Sequence, residues 1–497
     1  MQITSTPVTI MFVIYIAAML LIGWLGYRST RDLSDYILGG RKLGAFVVAL
    51  AAGASDMSGW LLMGLPGEVY TVGISASWIA IGLIMGAYLN WRFVAARLRV
   101  YTERSGDALT LPDFFSNRFN DRTNILRIVS AVVILVFFTL YCASGVVAGA
   151  RLFESMFGMQ YESALWLGAF CTIAYVFIGG FLAVSWTDTV QASLMFTALV
   201  LTPLIIIHHV GGFGDSVAVA QSVNASSTEL LHGISKIGVV SALAWGLGYF
   251  GQPHILVRFM AADSIKTIPN ARRIGMTWMI LCLAGAVAVG FFGIAYFEAN
   301  PEQAGGVIAN SERVFIELSI LLFNPWIAGI LLAAILAAVM STLSAQLLVC
   351  SSSLTQDIYK TFIRREAGDK ELVWFGRLMV LAVALVAIAL AWNPDSRVLS
   401  MVSYAWAGFG AAFGPVVILS LTWRRMTRGG ALAGMIVGAV VVLVWNHYGW
   451  LGLYEIIPGF ILGALAIYVV SVLSPEPAVE VTEVFDDVQQ LMSGHRL

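Results

Sequence analysis

Charged side chains are scarce in this chain. Asp, Glu, Lys and Arg together make 11% of its 497 residues, against roughly 25% in a soluble domain. Too little polar surface is available to coat a water-facing fold, which excludes a soluble enzyme, a nucleic-acid binder and a single-span receptor. Cysteine is nearly absent: Cys142, Cys171, Cys282 and Cys350 all fall in apolar segments without paired spacing, so neither a disulfide frame nor a zinc site is expected. No His pairs or Cys cluster suited to a haem or iron–sulfur centre occur, and no organic cofactor is expected. No Lys or Arg precedes the first apolar run, while Arg28 and Arg31 follow it. That order differs from a secretory leader, and the run is expected to stay as a membrane helix. Net charge is −1, which predicts no anionic partner such as nucleic acid.

What the chain has instead is apolar length. Hydrophobic residues make 59% of it and mean hydropathy is +0.85. At about 20 residues per crossing, hydropathy divides it into about thirteen spans, near 7–27, 44–70, 73–96, 125–150, 162–183, 187–209, 237–257, 275–297, 325–355, 373–392, 399–423, 430–447 and 453–474. These are too long and evenly apolar for barrel strands, and lipid requires backbone groups to bond within their own segment. The expected fold class is therefore an all-α polytopic membrane protein. With the N-terminus outside, 24 of the 28 Lys and Arg fall on the cytoplasmic side, as the positive-inside rule demands. The C-terminus is then cytoplasmic, and the acidic, Pro-containing stretch 475–497 is expected to be a mobile tail.

Inside the spans, Asp56 is the acidic or basic side chain expected near mid-depth. Glu68, Arg92, Arg127, Asp188, Arg377 and Glu455 lie towards span ends, where interface or water is within reach. A carboxylate at mid-bilayer costs at least about 2.5–3.5 kcal/mol and usually marks a substrate or ion path; a protonated structural Asp is the alternative. Two Gly and two Ser surround it in Gly53-Ala54-Ser55-Asp56-Met57-Ser58-Gly59-Trp60. They permit an unwound turn with free carbonyls on one side and free N–H groups on the other, although small residues also serve close helix packing. In the ninth span Ala338, Ser341 and Thr342 share one helix face at the expected depth of Asp56. Their hydroxyls can complete an oxygen shell for Na⁺, or bond back to their own helix. The seventh span carries Trp245-Gly246-Leu247-Gly248-Tyr249-Phe250-Gly251-Gln252-Pro253, where Gly and Pro argue for a second interruption. Breaks at equivalent places in oppositely directed halves point to a midplane site. The layout becomes one helix, five, five and two.

Trp60, Trp245, Tyr249 and Tyr141 sit at depth and suit a small apolar ring, whereas Trp166, Trp326, Trp392, Trp445 and Trp450 suit the interfacial belts. The strings Ala54 to Trp60, Gly179-Gly180-Phe181-Leu182-Ala183-Val184-Ser185-Trp186-Thr187-Asp188 to Gln191, and Ala337-Ala338-Val339-Met340-Ser341-Thr342 resemble the sodium:solute symporter family. The likeness runs from the first span to about Ser474.

That resemblance implies a LeuT-type 5+5 inverted repeat, with repeats at about 44–209 and 237–423, broken helices 2 and 7, and extra helices 7–27, 430–447 and 453–474. A single transporter domain would fill 1–474. The implied activity is Na⁺-coupled uptake of L-proline across a bacterial inner membrane by a protein functional as a monomer in the lipid bilayer, and not an enzyme. Carried over by position, Na⁺ is held by carbonyls of Ala54, Met57 and Ala338 and hydroxyls of Ser341 and Thr342, with Asp56 as the coupling acid. Proline maps to Ser58, Gly59, Trp60, Tyr141, Trp245, Tyr249, Gln252 and Pro253. Arg41 corresponds to an inner-gate residue. Asp188 belongs to the signature, with helix capping its simplest role. The rivals are a symporter of the same family for another solute, a sensor built on a transporter core, and a membrane redox enzyme.

Overall fold

The structure is a computed structural model and describes residues 6–231 and 233–494; His495 and Arg496 lie outside the described residues. In chain order the first elements are α1 (Thr6–Ser29), α2 (Ala45–Asp56), α3 (Trp60–Val72), α4 (Ile74–Arg104), α5 (Leu111–Arg118) and α6 (Ile125–Phe157). Next come α7 (Tyr161–Phe177), α8 (Gly179–Val210), α9 (Lys236–Leu243), α10 (Pro253–Met260) and α11 (Ile265–Ala299). The last are α12 (Pro325–Ile363), α13 (Asp369–Leu390), α14 (Val398–Thr422), α15 (Arg428–Tyr448), α16 (Ile456–Leu473) and α17 (Val479–Ser493). The described residues are all-helical, with one isolated bridge between Leu43 and Ala262. Among the described residues ten helices are long and apolar enough to cross a membrane, or eleven if α2 and α3 are one span bent by 62°. The shorter apolar α7 and the interrupted segment from α9 to α10 stand outside that count.

Both expected interruptions are present, each with a local cause. Met57 takes φ −82° and ψ 80°, close to an inverse γ-turn, and its N–H makes the last helical bond, to Gly53. The residue that leaves the helix is thus Met57 itself, while Gly59 is needed for clearance: a Cβ there would stand 2.8 Å from that of Ala148. In the second interruption α9 tightens into a 3₁₀ stretch over Ala244–Gly251 and stops at Gln252, φ −82° and ψ 107°. The ring of Pro253 pushes the preceding residue out of the helical region, and Pro253 then opens α10. This 3₁₀ stretch is held between α4 and α14. A Cβ on Gly86 would lie 2.1 Å from the Gly246 carbonyl, and one on Gly251 2.2 Å from the Phe409 carbonyl, so the elements meet backbone to backbone.

Three expectations need correction. The chain turns at Gly180, φ 67° and ψ −165°, a conformation that requires glycine, and not between 183 and 187 as the two spans expected there imply. Asp188 therefore lies well inside α8 and does not cap it. Second, Arg127 and Asp188 do not reach water: Asp188 pairs with Arg258, and Arg127 pairs with Asp113 and Asp357, all buried. Third, the acidic C-terminal stretch is a docked helix instead of a mobile tail. Val481, Phe485 and Val488 of α17 are buried, with Phe485 against Tyr101 and Arg118. Asp486 accepts three bonds from Arg424, at 2.9, 3.1 and 3.0 Å, and Gln489 donates to the Leu421 carbonyl.

Arg424 holds the Asp486 carboxyl below its ordinary value through that hydrogen-bonded pair. The pair's contribution is in place above the ordinary carboxylate range and is lost as pH falls through the lowered value. Hydrogen exchange provides the check. Amides of 479–493 should exchange slowly in the intact protein and more than tenfold faster in Phe485→Ala/Asp486→Ala. Exchange at free-peptide rates in the intact protein would contradict the docking.

Candidate functional site

The γ-turn at Met57 has a consequence for one carbonyl. In a continuous helix the N–H of Ser58 would bond the carbonyl of Ala54. Here it bonds Asp56, at 3.0 Å, and the Ala54 carbonyl is released. It accepts instead from Ser341 Oγ at 2.8 Å and Thr342 Oγ1 at 3.3 Å on α12, while Ser341 Oγ also reaches the Ala338 carbonyl at 3.1 Å. Four of the five sequence-derived oxygens thus meet at the joint between α2 and α12. The Met57 carbonyl makes no hydrogen bond there, and the Met57 side chain is fully buried. Among the described residues no three His, Cys, Asp or Glu side chains group to hold a metal. A cation at this joint would rest on hydroxyls and carbonyls, a donor set suited to hard, singly charged ions.

Asp56 ends α2, fully buried, and its Oδ2 accepts the Tyr249 hydroxyl from the 3₁₀ stretch. Its Oδ1 has no partner. Beside it lies a cavity of about 20 Å³ bordered by Met57, Asn90, Tyr249, Phe259 and Met279, room for one water-sized occupant. The two interruptions are therefore joined through Asp56 and Tyr249 across the molecule.

The aromatic residues close around this junction. Trp60 and Trp245 have ring centroids 6.4 Å apart, and the Trp60 indole N–H points to the Asp56 carbonyl at 3.4 Å. The Trp60 amide stands 3.5 Å from Ser58 Oγ, next to Gly59. Tyr141 is buried on α6, its ring 6.0 Å from His254, and its hydroxyl has no hydrogen-bond partner. Gln252 donates to the Trp406 carbonyl at 3.2 Å, and its Oε1 also has no partner. Pro253 fixes the start of α10. Asp56, Tyr141 and Gln252 each keep a buried polar atom without a hydrogen bond among the described residues, where buried polar atoms are usually satisfied.

Sequence reasoning missed several contributors. Trp406 of α14 stands edge-on to Tyr249 at 5.1 Å and donates to the Trp245 carbonyl at 2.7 Å. Its position among Ala and Gly, mid-span and away from any belt, was the available signal. Tyr454 packs 5.6 Å from Trp245, and Asn90 holds the Tyr249 carbonyl. A cavity of about 320 Å³ lined by Glu68, Ser75, Ser241, Trp245 and Tyr454 leads to this side of the ring cluster.

The other side is shut by charge. Arg41 Nε pairs with Asp107 at 2.9 Å, and its guanidinium also reaches Thr102, the Met260 carbonyl at 2.7 Å and the Ala108 carbonyl at 2.8 Å. Arg99 bonds the Ala262 carbonyl. Arg258 of α10 pairs with Asp188 of α8 at 3.1 Å, both fully buried, and lies over the Phe181 ring. Arg41 and Asp188 therefore sit away from the joint between α2 and α12, at the Met260 end of the broken seventh segment. Removing one member of a buried pair leaves an uncompensated charge, at a cost of about 3–5 kcal/mol. Asp188→Asn should lower the thermal unfolding midpoint in detergent, and Asp188→Leu/Arg258→Met should recover most of the loss. A single variant as stable as the parent would show the pair to be dispensable.

Residues 36–438 match the sequence profile of the sodium:solute symporter family. The chain is 68% identical over 474 residues to the sodium/proline symporter of Escherichia coli (strain K12), covering 95% of this chain and 94% of that one. It is 55% identical over 476 residues to the high-affinity proline transporter PutP of Bacillus subtilis (strain 168), covering 96% of this chain and 100% of that one. The fold is similar to that of a Na⁺-coupled sialic acid symporter solved in a substrate-bound, outward-open state, with a TM-score of 0.81 and 19% identity over 95% of this chain and 99% of that one. It also resembles Mhp1, a nucleobase-cation-symport-1 family transporter, at a TM-score of 0.56 and 14% identity over 91% and 98%. Reach along the whole chain, together with this identity, establishes descent: the chain belongs to the sodium:solute symporter family.

Proposed function

We propose that this chain carries L-proline together with Na⁺ across a bacterial cytoplasmic membrane by alternating access. Its bacterial relatives carry proline transport in their names. The observation that carries the reading is the Ala54 carbonyl, released by the Met57 turn and received by the Ser341 and Thr342 hydroxyls.

Thirteen crossings are the reading that fits best. To the ten long helices and the bent α2–α3 pair it adds α7 and the interrupted α9–α10 segment. A straight helix over Tyr161–Val210 would run about 75 Å, more than twice the ~30 Å hydrocarbon core. Trp278 reaches Ala192 and Gly285 faces Leu199, so α8 runs parallel to α11. Gly149 faces Gly168, which suits α7 returning beside α6. On this reading 44–209 and 237–423 are LeuT-type inverted repeats within one transporter domain over 1–474. The N-terminus is outside and the C-terminus inside, and the protein works as a monomer.

In the proposed mechanism Na⁺ takes the carbonyls of Ala54, Met57 and Ala338 and the hydroxyls of Ser341 and Thr342, tying α2 to α12. The N–H of Gly59, with the Ser58 hydroxyl beside it, receives the proline carboxylate, as the N-terminal end of α3 favours an anion. Trp60, Tyr141, Trp245, Tyr249, Gln252 and Pro253 enclose the ring. Na⁺, ionised Asp56 and zwitterionic proline sum to zero charge, so occlusion strands no net charge in lipid. Each ligand binds better once the other has ordered the break, and linkage makes that effect reciprocal. One Na⁺ entering down 100 mV contributes about 2.3 kcal/mol. Release inward requires the Arg41 latch to open.

Uptake by proteoliposomes separates the two ligand sets. Ser341→Ala/Thr342→Ala should raise the Na⁺ concentration for half-maximal uptake at least tenfold, with proline affinity recovering at high Na⁺. Trp245→Ala should weaken proline at every Na⁺ concentration. An unchanged Na⁺ dependence in the double variant overturns the ion assignment, and a Trp245→Ala defect cured by Na⁺ overturns the aromatic pocket.

A further inference from the structure

The near-zero net charge hides a strongly basic recess far from the transport site. A cavity of about 400 Å³ opens between the end of α1 and the start of α13, lined by Tyr27, Arg28, Arg31, Lys370, Trp374 and Arg377, with Asp369 as its acid. Arg28, Arg31 and Lys370 are exposed and make no ion pair with a carboxylate among the described residues. Four basic side chains against one acid form a focused positive field, and such a field attracts an anion.

The walls say which kind of anion. Arg377 stacks on Tyr27 of α1 at 4.9 Å and on Trp374 of α13 at 5.2 Å, so one guanidinium spans the recess between two rings. Arg28 lies 3.9 Å over Trp24. Trp24, Tyr27 and Trp374 are themselves exposed, as aromatic side chains are at headgroup depth. Beyond the recess both helices present bare aliphatic faces: Ile14, Leu21 and Leu25 on α1, and Leu378, Leu381 and Leu385 on α13. The two helices both pack on the α7–α8 pair and α12, and Phe177 of α7 stands edge-on to Trp374. A basic mouth beside bare aliphatic helix faces matches a molecule with a phosphate head and acyl tails, and a free phosphate would leave those faces uncovered.

We infer that this recess binds the headgroup of an anionic phospholipid, a phosphate diester such as that of phosphatidylglycerol, with its acyl chains along α1 and α13. The inference rests on the cytoplasmic placement of this end proposed above, but its readout does not involve transport. A bound lipid would brace α1 against α13 across the Gly180 turn, next to the closed inner end.

Native mass spectrometry of the full chain in mixed micelles of phosphatidylglycerol and phosphatidylcholine tests this. Each Lys or Arg at an anionic surface contributes about fivefold in affinity. Arg28→Gln/Arg31→Gln/Lys370→Gln should therefore weaken phosphatidylglycerol on the order of 100-fold and leave phosphatidylcholine unchanged. Asp369→Asn, which removes the opposing charge and cannot be explained by misfolding, should strengthen it about fivefold. Millimolar inorganic phosphate should not displace the lipid. Equal phosphatidylglycerol affinity in the parent and both variants overturns the site, and displacement by inorganic phosphate reassigns it to a free anion. Loss of proline uptake, or its absence in the parent, bears on the transport reading and leaves this one intact.

Discussion

A carbonyl inside a membrane helix is normally consumed by the N–H four residues further on. Ala54 is exempt because Ser58 donates to Asp56 instead. The remainder of the site depends on that exchange. It bends the span by 62°, turns the freed carbonyl towards the hydroxyl face of α12, and puts the Asp56 side chain where Tyr249 can hold one of its oxygens. A carbonyl released in lipid would cost several kcal/mol if left bare, so Ser341 and Thr342 are as much a structural requirement of the break as they are candidate ligands. In the proposed mechanism that double duty gives an ion its leverage: a cation arriving there would compete for oxygens already in use and change the joint between two helices.

Around this joint the molecule is asymmetric. On one side a cavity reaches Trp245 and Tyr454 through walls that carry one acid, Glu68, and no basic side chain. On the other, Arg41, Arg99 and the buried Asp188–Arg258 pair fasten the ends of the broken segments to carbonyls and carboxylates. Buried ion pairs are weak devices for stability but strong devices for discrimination between arrangements, since a pair out of register costs more than a pair absent. An array of this kind suits an end that must be firmly shut or fully open, and bistable contacts are what domain switching exploits.

Much of this was legible in the residues. Gly and Ser around Asp56, and Gly with Pro253 in the seventh segment, announced both breaks because only backbone chemistry can interrupt an apolar helix. The spacing of Ala338, Ser341 and Thr342 announced the facing surface. Less legible was the partnering of charges. Asp188 and Arg258 lie 70 residues apart and Asp188 looked able to reach water, but tertiary packing enclosed both. Gly180 hid behind Gly179 as the turning point, because hydropathy runs unbroken through it. The helix 479–493 looked like a solvated acidic tail until Phe485, Val488 and Met492 were seen to share the face that meets α4. Trp406 escaped because its one signal was its place within the span among Ala and Gly, with no charged neighbour to mark it.

The central claim is that the Met57 turn and its α12 oxygens form an ion-ordered joint on which the solute depends. Hydrogen exchange of residues 53–60, followed in the purified protein with Na⁺ alone, proline alone and both, tests it most directly. The account predicts slower exchange with Na⁺, a further slowing when proline is added in Na⁺, and no protection from proline in Na⁺-free buffer. Equal protection by proline with and without Na⁺ would contradict it.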